Sequence, residues 1–372
     1  MQIQKHLGKI SHDAILAILI VVVAKILVFT VGLAANALAG SVSASTLFTM
    51  FNRWDAPHYL DIAQNWYVNT GDPANFIVFF PLYPILIRLI TVNFDYINIS
   101  ALIVANVCSL IGFFYLYKLA KLEFNSKVAV KAVLFMSIFP MAYFLSAPYT
   151  EGLFFALVIA SIYYARVSRW EIAGLLSMFA ALSRLAGLLL LPVLLVEYFH
   201  QKGWKPRNVD YKIVWATLAA AGFLIYLAIN LQVTGEAFKF MEIQKVHWFN
   251  TLDPITGLKL AWSWATTRAY PENFSIGIAP ITFAVFGLVM FIAAVWKRFR
   301  PVYLVYMFLT WGLAVSTSWW ISVPRYIMAM FPMFILLGAL TRNKAVNVAI
   351  ATAFLVGLVY FAATFALGWW AF

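Results

Sequence analysis

Apolar residues in this chain come in long unbroken runs. They cover roughly residues 14–38, 99–117, 132–147, 152–167, 172–182, 185–199, 213–233, 276–296, 302–318, 326–340 and 345–368. A shorter run, 76–92, is interrupted by Pro81, Pro84 and Arg88. A helix that crosses a bilayer needs about 20 apolar residues. A transmembrane barrel would instead alternate apolar and polar positions. The pattern predicts an all-α polytopic membrane protein with a bundle of about eleven transmembrane helices. The proline-broken run is expected to be a re-entrant or membrane-lying segment in the first extracytoplasmic loop. Residues 14–33, followed by Ala37-Leu38-Ala39, resemble a signal peptide, but the run is too long for one and carries Lys25. It is read as a span.

Composition sharpens this picture. Of 372 residues, 64% are hydrophobic and 11% are charged, against about 25% charged in soluble domains. That excludes a soluble globular domain, and the hydrophobicity excludes disorder. A single cysteine, Cys108, excludes a disulfide framework or a thiolate cluster. The net charge of +12 becomes a question of sidedness. With Lys5 and Lys9 placed in the cytoplasm, and 76–92 not crossing, the inner segments hold 17 basic and 5 acidic residues. The outer segments hold 8 basic and 9 acidic ones. The charge is then topological, and no nucleic-acid partner is needed to explain it. No linker or internal repeat divides the chain, so 1–372 reads as one integral membrane domain. Its two large extracytoplasmic loops are 39–98 and 234–275.

The unusual polar sequences all fall on the outer face. The first reads Arg53-Trp54-Asp55-Ala56-Pro57-His58-Tyr59-Leu60-Asp61. In a helix, His58 and Asp61 share a face. Asp55 sits at a helix start marked by Pro57, where it could be a cap, a catalytic carboxylate, or a metal ligand with His58 and Asp61. Next, Phe79-Phe80-Pro81-Leu82-Tyr83-Pro84 breaks any helix and reads as an interfacial aromatic belt or a substrate groove, with Arg88 one turn on. Glu151 opens a helix. Arg184 lies between two half-length apolar runs, where a charge is costly and usually functional. Arg325 lies in Pro324-Arg325-Tyr326. Several arginines on one face suit an anionic ligand, because guanidinium offers bidentate donors. A lipid phosphate is the natural anion at that depth. Lys25 either joins that anion or forms an internal ion pair. There is no P-loop, no GxGxxG fingerprint and no HExxH, so nothing points to ATP or a nucleotide sugar.

These residues resemble a known family. Arg53-Trp54-Asp55-Ala56-x-His58-Tyr59 with Ile62-Ala63, then Phe79 to Pro84, is similar to the first luminal loop of PIG-V-type mannosyltransferases. Those are the GPI mannosyltransferase II family and its prokaryotic relatives, within the GT-C superfamily. The resemblance continues through Ser137-Ile138-Phe139-Pro140, Tyr149-Thr150-Glu151-Gly152-Leu153-Phe154 and Ser183-Arg184-Leu185-Ala186-Gly187, and more loosely through Pro324 to Pro332. Leu82-Tyr83 stands where eukaryotic members tend to have Gly-Phe, and Leu185-Ala186 where they tend to have Ser-Asn, departures that bear on the acceptor.

The resemblance implies an inverting transferase that moves a sugar, with mannose expected, from a polyprenyl- or dolichyl-phosphate donor to a lipid-linked or cell-surface glycan. It puts Asp55 in the role of general base and Arg184 and Arg325 at the phosphate. His58, Tyr59, Asp61 and Glu151 become candidates for sugar or acceptor contacts, and Arg53, Tyr83, Arg88 and Tyr326 complete the candidate substrate set. No cofactor is expected; a divalent metal is compatible with the carboxylates but not required. The expected location is a prokaryotic cell membrane, with the site facing outward and the N-terminus cytoplasmic. The rival reading is a lipid or sugar transporter or flippase. Transporters, however, tend to place their sites at the midplane of inverted repeats.

The charge count makes a direct prediction. Single cysteines at Asn125, Gly203 and Asn343 should label with an impermeant maleimide only from the cytoplasmic side, and those at Asn69 and Asn250 only from outside. Labelling of Asn125 from outside would mean that 76–92 crosses.

Overall fold

The computed structural model describes residues 12–341 and 343–371. Lys5, Lys9 and Arg342, which enter the charge count above, lie outside the described residues. Among the described residues all regular structure is helical and there is no strand. The chain runs α1 (His12–Leu38), α2 (Ala56–Asn65), α3 (Leu82–Ile90), α4 (Ile97–Glu123), α5 (Ser126–Ser137), α6 (Glu151–Arg166), α7 (Trp170–Ser183) and α8 (Leu190–Gln201). It continues through α9 (Leu218–Thr234), α10 (Lys239–Val246), α11 (Pro254–Thr267), α12 (Ala279–Trp296), α13 (Pro301–Val315), α14 (Val323–Met328), α15 (Pro332–Leu340) and α16 (Lys344–Ala366). Shorter turns lie between them.

Each of the long apolar runs becomes a helix or a broken helix, but the lengths differ from those expected. Among the described residues, four stretches are long and apolar enough to cross a bilayer: His12–Leu38, Phe94–Glu123, Asn273–Trp296 and Lys344–Ala366. Counting each sharply bent pair as one span raises this to seven. The figure of about eleven full-length spans is therefore not what helix length supports. The physical reason is visible in the sequence. Pro140 ends the α5 run early, Pro332 restarts a helix after a 61° bend, and Gly235, in the left-handed region at φ +79°, closes α9 before a 77° bend into α10. Helices α6, α7 and α13 have 16, 14 and 15 residues. At 1.5 Å per residue they reach only about 21–24 Å, short of a hydrocarbon core of about 30 Å.

Polar contacts define the two ends of the bundle. At one end Ser126 bonds to Asp13, Lys131 donates to the carbonyl of Thr341, and Glu123, Arg166, Glu197 and Arg300 cluster. The other end holds Arg53 to Asp55, Tyr149 to Glu151, Arg184 and Arg325. Helix α1 starts at the first end and finishes near the second, where Gly32 packs against Met50 and Phe51. Helix α4 runs back, because its last residue, Glu123, belongs to the first end. The intervening chain thus leaves and re-enters the bundle at one end. Within it the turn Asp72–Val78 meets α3 at 111°, as a segment does when it dips and returns.

Close helix approaches rest on small residues, as is usual inside membranes. A Cβ on Gly152 would lie 2.4 Å from the carbonyl oxygen of Ala105, and one on Gly222 would lie 2.1 Å from that of Met178. These positions admit only glycine, and they clamp α6 to α4 and α9 to α7. The Gly152 contact sits one residue from Glu151, so it also fixes the depth of that carboxylate.

Among the described residues, Lys25 has neutral partners and no carboxylate. Its ammonium donates to the Asn106 amide oxygen at 2.8 Å, the Leu145 carbonyl at 3.0 Å and the Ser146 hydroxyl at 3.3 Å. It ties α1 to the segment that leads into Tyr149 and Glu151.

At the first end, Glu197 is fully buried. It accepts from both Nε and Nη2 of Arg300 at 2.8 Å and from Gln201 at 2.6 Å, and Arg166 lies 3.4 Å away. Arg166 in turn meets Glu123 at 2.6 Å. Removing one member of such a network leaves the others buried without a counter-charge, which costs about 3–5 kcal/mol. Glu197→Gln should therefore lower the melting temperature of the detergent-solubilised protein sharply. A Glu197→Gln protein that melts with the wild type would show that water already screens this network.

Candidate active site

The site is built where four distant segments meet. Tyr149 pins the first loop: its hydroxyl donates to the Arg53 carbonyl at 2.7 Å and accepts from the Asp55 backbone N–H at 3.2 Å. Between those two contacts Trp54 is held at φ +56°, a left-handed conformation that a bulky residue rarely adopts. Strain of this kind persists only where the surroundings over-determine it. The result is that Asp55 turns its side chain inward at the start of α2.

Asp55 does not cap α2. No side-chain cap bond is made there, although the helix does begin at Ala56, as Pro57 predicts. Instead its Oδ2 accepts from Nη1 of Arg325 at 3.1 Å. Nε of Arg325 lies 3.3 Å from Oε1 of Glu151. The same Glu151 oxygen is bonded to Nη1 of Arg184, which also donates to Thr150 Oγ1 at 3.1 Å. Asp55, Arg325, Glu151 and Arg184 therefore form one continuous chain of ion pairs. Glu151 and Arg325 are buried, while Asp55 is partly open. Aromatic faces wall the cations: Arg325 lies over Phe144, Tyr149 and Tyr326, and Arg184 over Phe154 and Tyr326, all within 6 Å of the ring centres. Glu151 also sits in the first turn of α6, where a carboxylate offsets the helix dipole.

The other candidate residues separate into two groups. Tyr59 lies beside the cluster, its ring against Phe79, Tyr83 and Tyr149. His58 packs at 4.3 Å from Phe76 and 5.1 Å from Phe79, with Trp248 at 5.6 Å. The remainder have local duties. Arg53 sends its guanidinium to the Ala366 carbonyl. Arg88 donates to the carbonyls of Ala63 and Gln64 at 3.0 and 2.7 Å, closing the last turn of α2, and so does not join the other arginines. Tyr83 is fully buried and bonds the Ala101 carbonyl. Asp61 accepts from Asn65 at 2.8 Å. The grouping of Asp55, His58 and Asp61 as metal ligands is not formed: among the described residues no three His, Cys, Asp or Glu side chains converge to hold an ion.

Residues that the sequence did not single out also shape the site. Tyr149 orients Asp55, Thr150 holds Arg184, and Trp248 brings the 234–275 loop over His58. Tyr149 and Thr150 stand beside Glu151, within a stretch that carries the family resemblance, but sequence alone assigns them no role of their own. Trp248 offers none, because its partner lies 190 residues away.

The sequence model of the family described as dolichyl-phosphate-mannose-protein mannosyltransferase, of GT-C type, matches residues 79–232. No curated protein matches the chain. The matched stretch contains Glu151 and Arg184 and stops short of Asp55 and Arg325. The match covers less than half of the chain, and the long apolar helices are those of a multi-pass membrane protein.

Burial lowers the pKa of His58 below its ordinary value of 6.5. Asp55, Asp72 and Asp61 pull the other way, and His247 adds to the lowering. The fold thus favours the neutral ring. Its contribution to stability is present above the unfolded pKa and is lost as pH falls through that region. Between about pH 7.5 and pH 5, which bracket the unfolded histidine pKa, the wild type should lose more melting temperature than His58→Phe. Equal losses would assign the acid sensitivity elsewhere.

Proposed function

We propose that the protein is an inverting GT-C glycosyltransferase that moves a sugar, mannose, from a polyprenyl- or dolichyl-phosphate donor to a hydroxyl acceptor, and that Asp55 is its general base. The motif resemblance to PIG-V-type enzymes supports this over a protein-directed acceptor. The observation that carries the reading is the ion chain Asp55–Arg325–Glu151–Arg184, assembled at one end of the bundle beside a helix-breaking segment. A transporter site would be expected nearer the midplane.

The reaction is a single displacement. The acceptor oxygen attacks the anomeric carbon, the bond from that carbon to the phosphate oxygen breaks, and the acceptor proton passes to Asp55. Negative charge then grows on the departing lipid phosphate, where Arg325 and Arg184 stabilise it. Glu151 keeps the two guanidinium groups together while the phosphate is absent. Arg325 is shared: an arriving phosphate competes for it with Asp55 and frees that carboxylate to meet the acceptor. None of these steps requires a cofactor. The positive-inside count supports a site on the extracytoplasmic face of a cell membrane, with the N-terminus cytoplasmic.

Transfer from a labelled polyprenyl-phosphate mannose, measured on the purified protein, tests this. Asp55→Asn keeps the size and removes the base, and should lose about 10²–10⁴ in turnover. Asp55→Glu should lose about 10², the penalty for a displacement near 1 Å. Arg325→Lys should not restore donor use, because a point charge replaces a fork. Near-normal turnover in Asp55→Asn would remove the base assignment.

A further inference from the structure

Four tryptophans form a row that begins at Asp55. Trp54 stacks on Trp370 with ring centres 4.0 Å apart, Trp370 meets Trp319 at 6.4 Å, and Trp319 meets Trp264 at 6.3 Å. They come from four parts of the chain: the first loop, the segment after α16, the turn before α14, and α11 in the 234–275 loop. All four are half-buried. The row therefore starts at the residue before Asp55 and continues through the segments that carry Trp370, Trp319 and Trp264.

Two contrasts set this row apart from ordinary packing. Trp320, next to Trp319, is buried against Gly257 and donates its N–H to the Val315 carbonyl. The core requirement for an indole at that turn is thus met by Trp320, and Trp319 is left to face the row. Tryptophans of an interfacial belt stand singly toward lipid, as Trp262 and Trp296 do at 65% and 77% exposure. The row is contiguous, partly covered, and joined to the partly open carboxylate. Its support is also built: Ser318 exchanges bonds with Thr251 at 2.8 and 2.9 Å, and Arg53 holds the Ala366 carbonyl at 3.3 Å.

An indole face is electron-rich and attracts the weakly positive C–H groups on one face of a pyranose ring, while the N–H edge can bond a sugar hydroxyl. Successive rings in the row are turned by 36°, 68° and 86°, so faces and edges alternate along it. A polyprenyl chain has no use for the edges, and the phosphate that precedes it belongs with Arg184 and Arg325, away from Trp264. We infer that this row is the acceptor subsite and that the acceptor is a carbohydrate, several pyranose units long, whose terminal hydroxyl is delivered to Asp55. This rests on the transferase reading above and names its substrate class.

The test uses the full-length protein in detergent with three probes: methyl α-mannoside, linear mannooligosaccharides, and a serine/threonine-rich peptide. Saturation-transfer difference NMR reads binding without turnover. Affinity should rise with oligosaccharide length and fall about tenfold in Trp319→Ala or Trp264→Ala, the scale of one lost stacking contact. In transfer assays those variants should raise the oligosaccharide KM far more than they lower kcat. Trp319→Phe, which keeps a ring, should weaken binding only about threefold and serves if the alanine variants fail to fold. Unaltered oligosaccharide binding in the variants, or a peptide bound in preference to the oligosaccharide, overturns the inference. Wild-type release of polyprenyl phosphate from the donor, with the sugar passing to any of the three probes or to water, is scored separately. Its absence would count against the transferase reading, while the binding data would still decide the carbohydrate subsite.

Discussion

A single buried carboxylate, Glu151, holds two guanidinium groups at the edge of an apolar bundle. Like charges of that kind repel, and either one alone would be expensive to bury. With Glu151 between them, and Asp55 on the far side of Arg325, the cluster has two positive and two negative members. Nearly everything around it follows from keeping that balance. Gly152 lets α6 approach α4 so that Glu151 sits at the right depth. Lys25 and Asn106 hold the carbonyls just before Tyr149. Tyr149 bends the first loop so that Asp55 faces Arg325 rather than capping its own helix. Aromatic faces screen the cations from lipid without neutralising them.

The same balance explains how two arginines can lie close together at the edge of an apolar bundle. A pocket of unopposed arginines would pull its elements apart. Here the resident carboxylates hold the arginines in place, and one of them, Asp55, is the more exposed and the more easily displaced. On the proposed reading, stability and chemistry fall to different acids. Glu151 is buried and shared; Asp55 is at the rim, paired with Arg325. At the opposite end of the bundle Glu197 plays the Glu151 part between Arg166 and Arg300, and Glu123 stands beyond Arg166 as Asp55 stands beyond Arg325.

Much of this was legible in the sequence, and the limits of legibility have physical causes. Apolar runs located the helices because lipid demands unbroken apolar stretches. They do not fix the number of full spans, because hydropathy does not register where a proline breaks a helix inside a run, as at Pro140. Asp55, Glu151, Arg184 and Arg325 stood out because charge is rare in this chain, so each one must have a reason. Their pairing could not be read, since Arg325 lies 270 residues from Asp55. Arg88 was misleading for the same reason that the others were informative: it too is a rare charge beside apolar runs, but its carbonyl partners on α2 carry no sequence signature. The aromatic residues were least legible. With aromatics making up 17% of the chain, neither Trp248 nor Trp319 differs in sequence from a belt residue.

The short helices α6 and α7 carry a mechanical consequence. Helix α6 has Glu151 in its first turn and Arg166 in its last, and each is fastened into an ion network, so α6 cannot slide along the membrane normal. Helix α7, packed beside it, presents Ile172, Leu175 and Phe179 outward. A lipid annulus there meets a wall of only about 21 Å. Hydrophobic mismatch is relieved by whichever partner is softer, and here that is the bilayer, which must thin locally. Thinning draws the headgroup plane inward toward Arg184, which joins α7 to the site. On the proposed reading, a lipid-borne phosphate and a water-borne hydroxyl would then reach the same depth without either crossing the hydrocarbon.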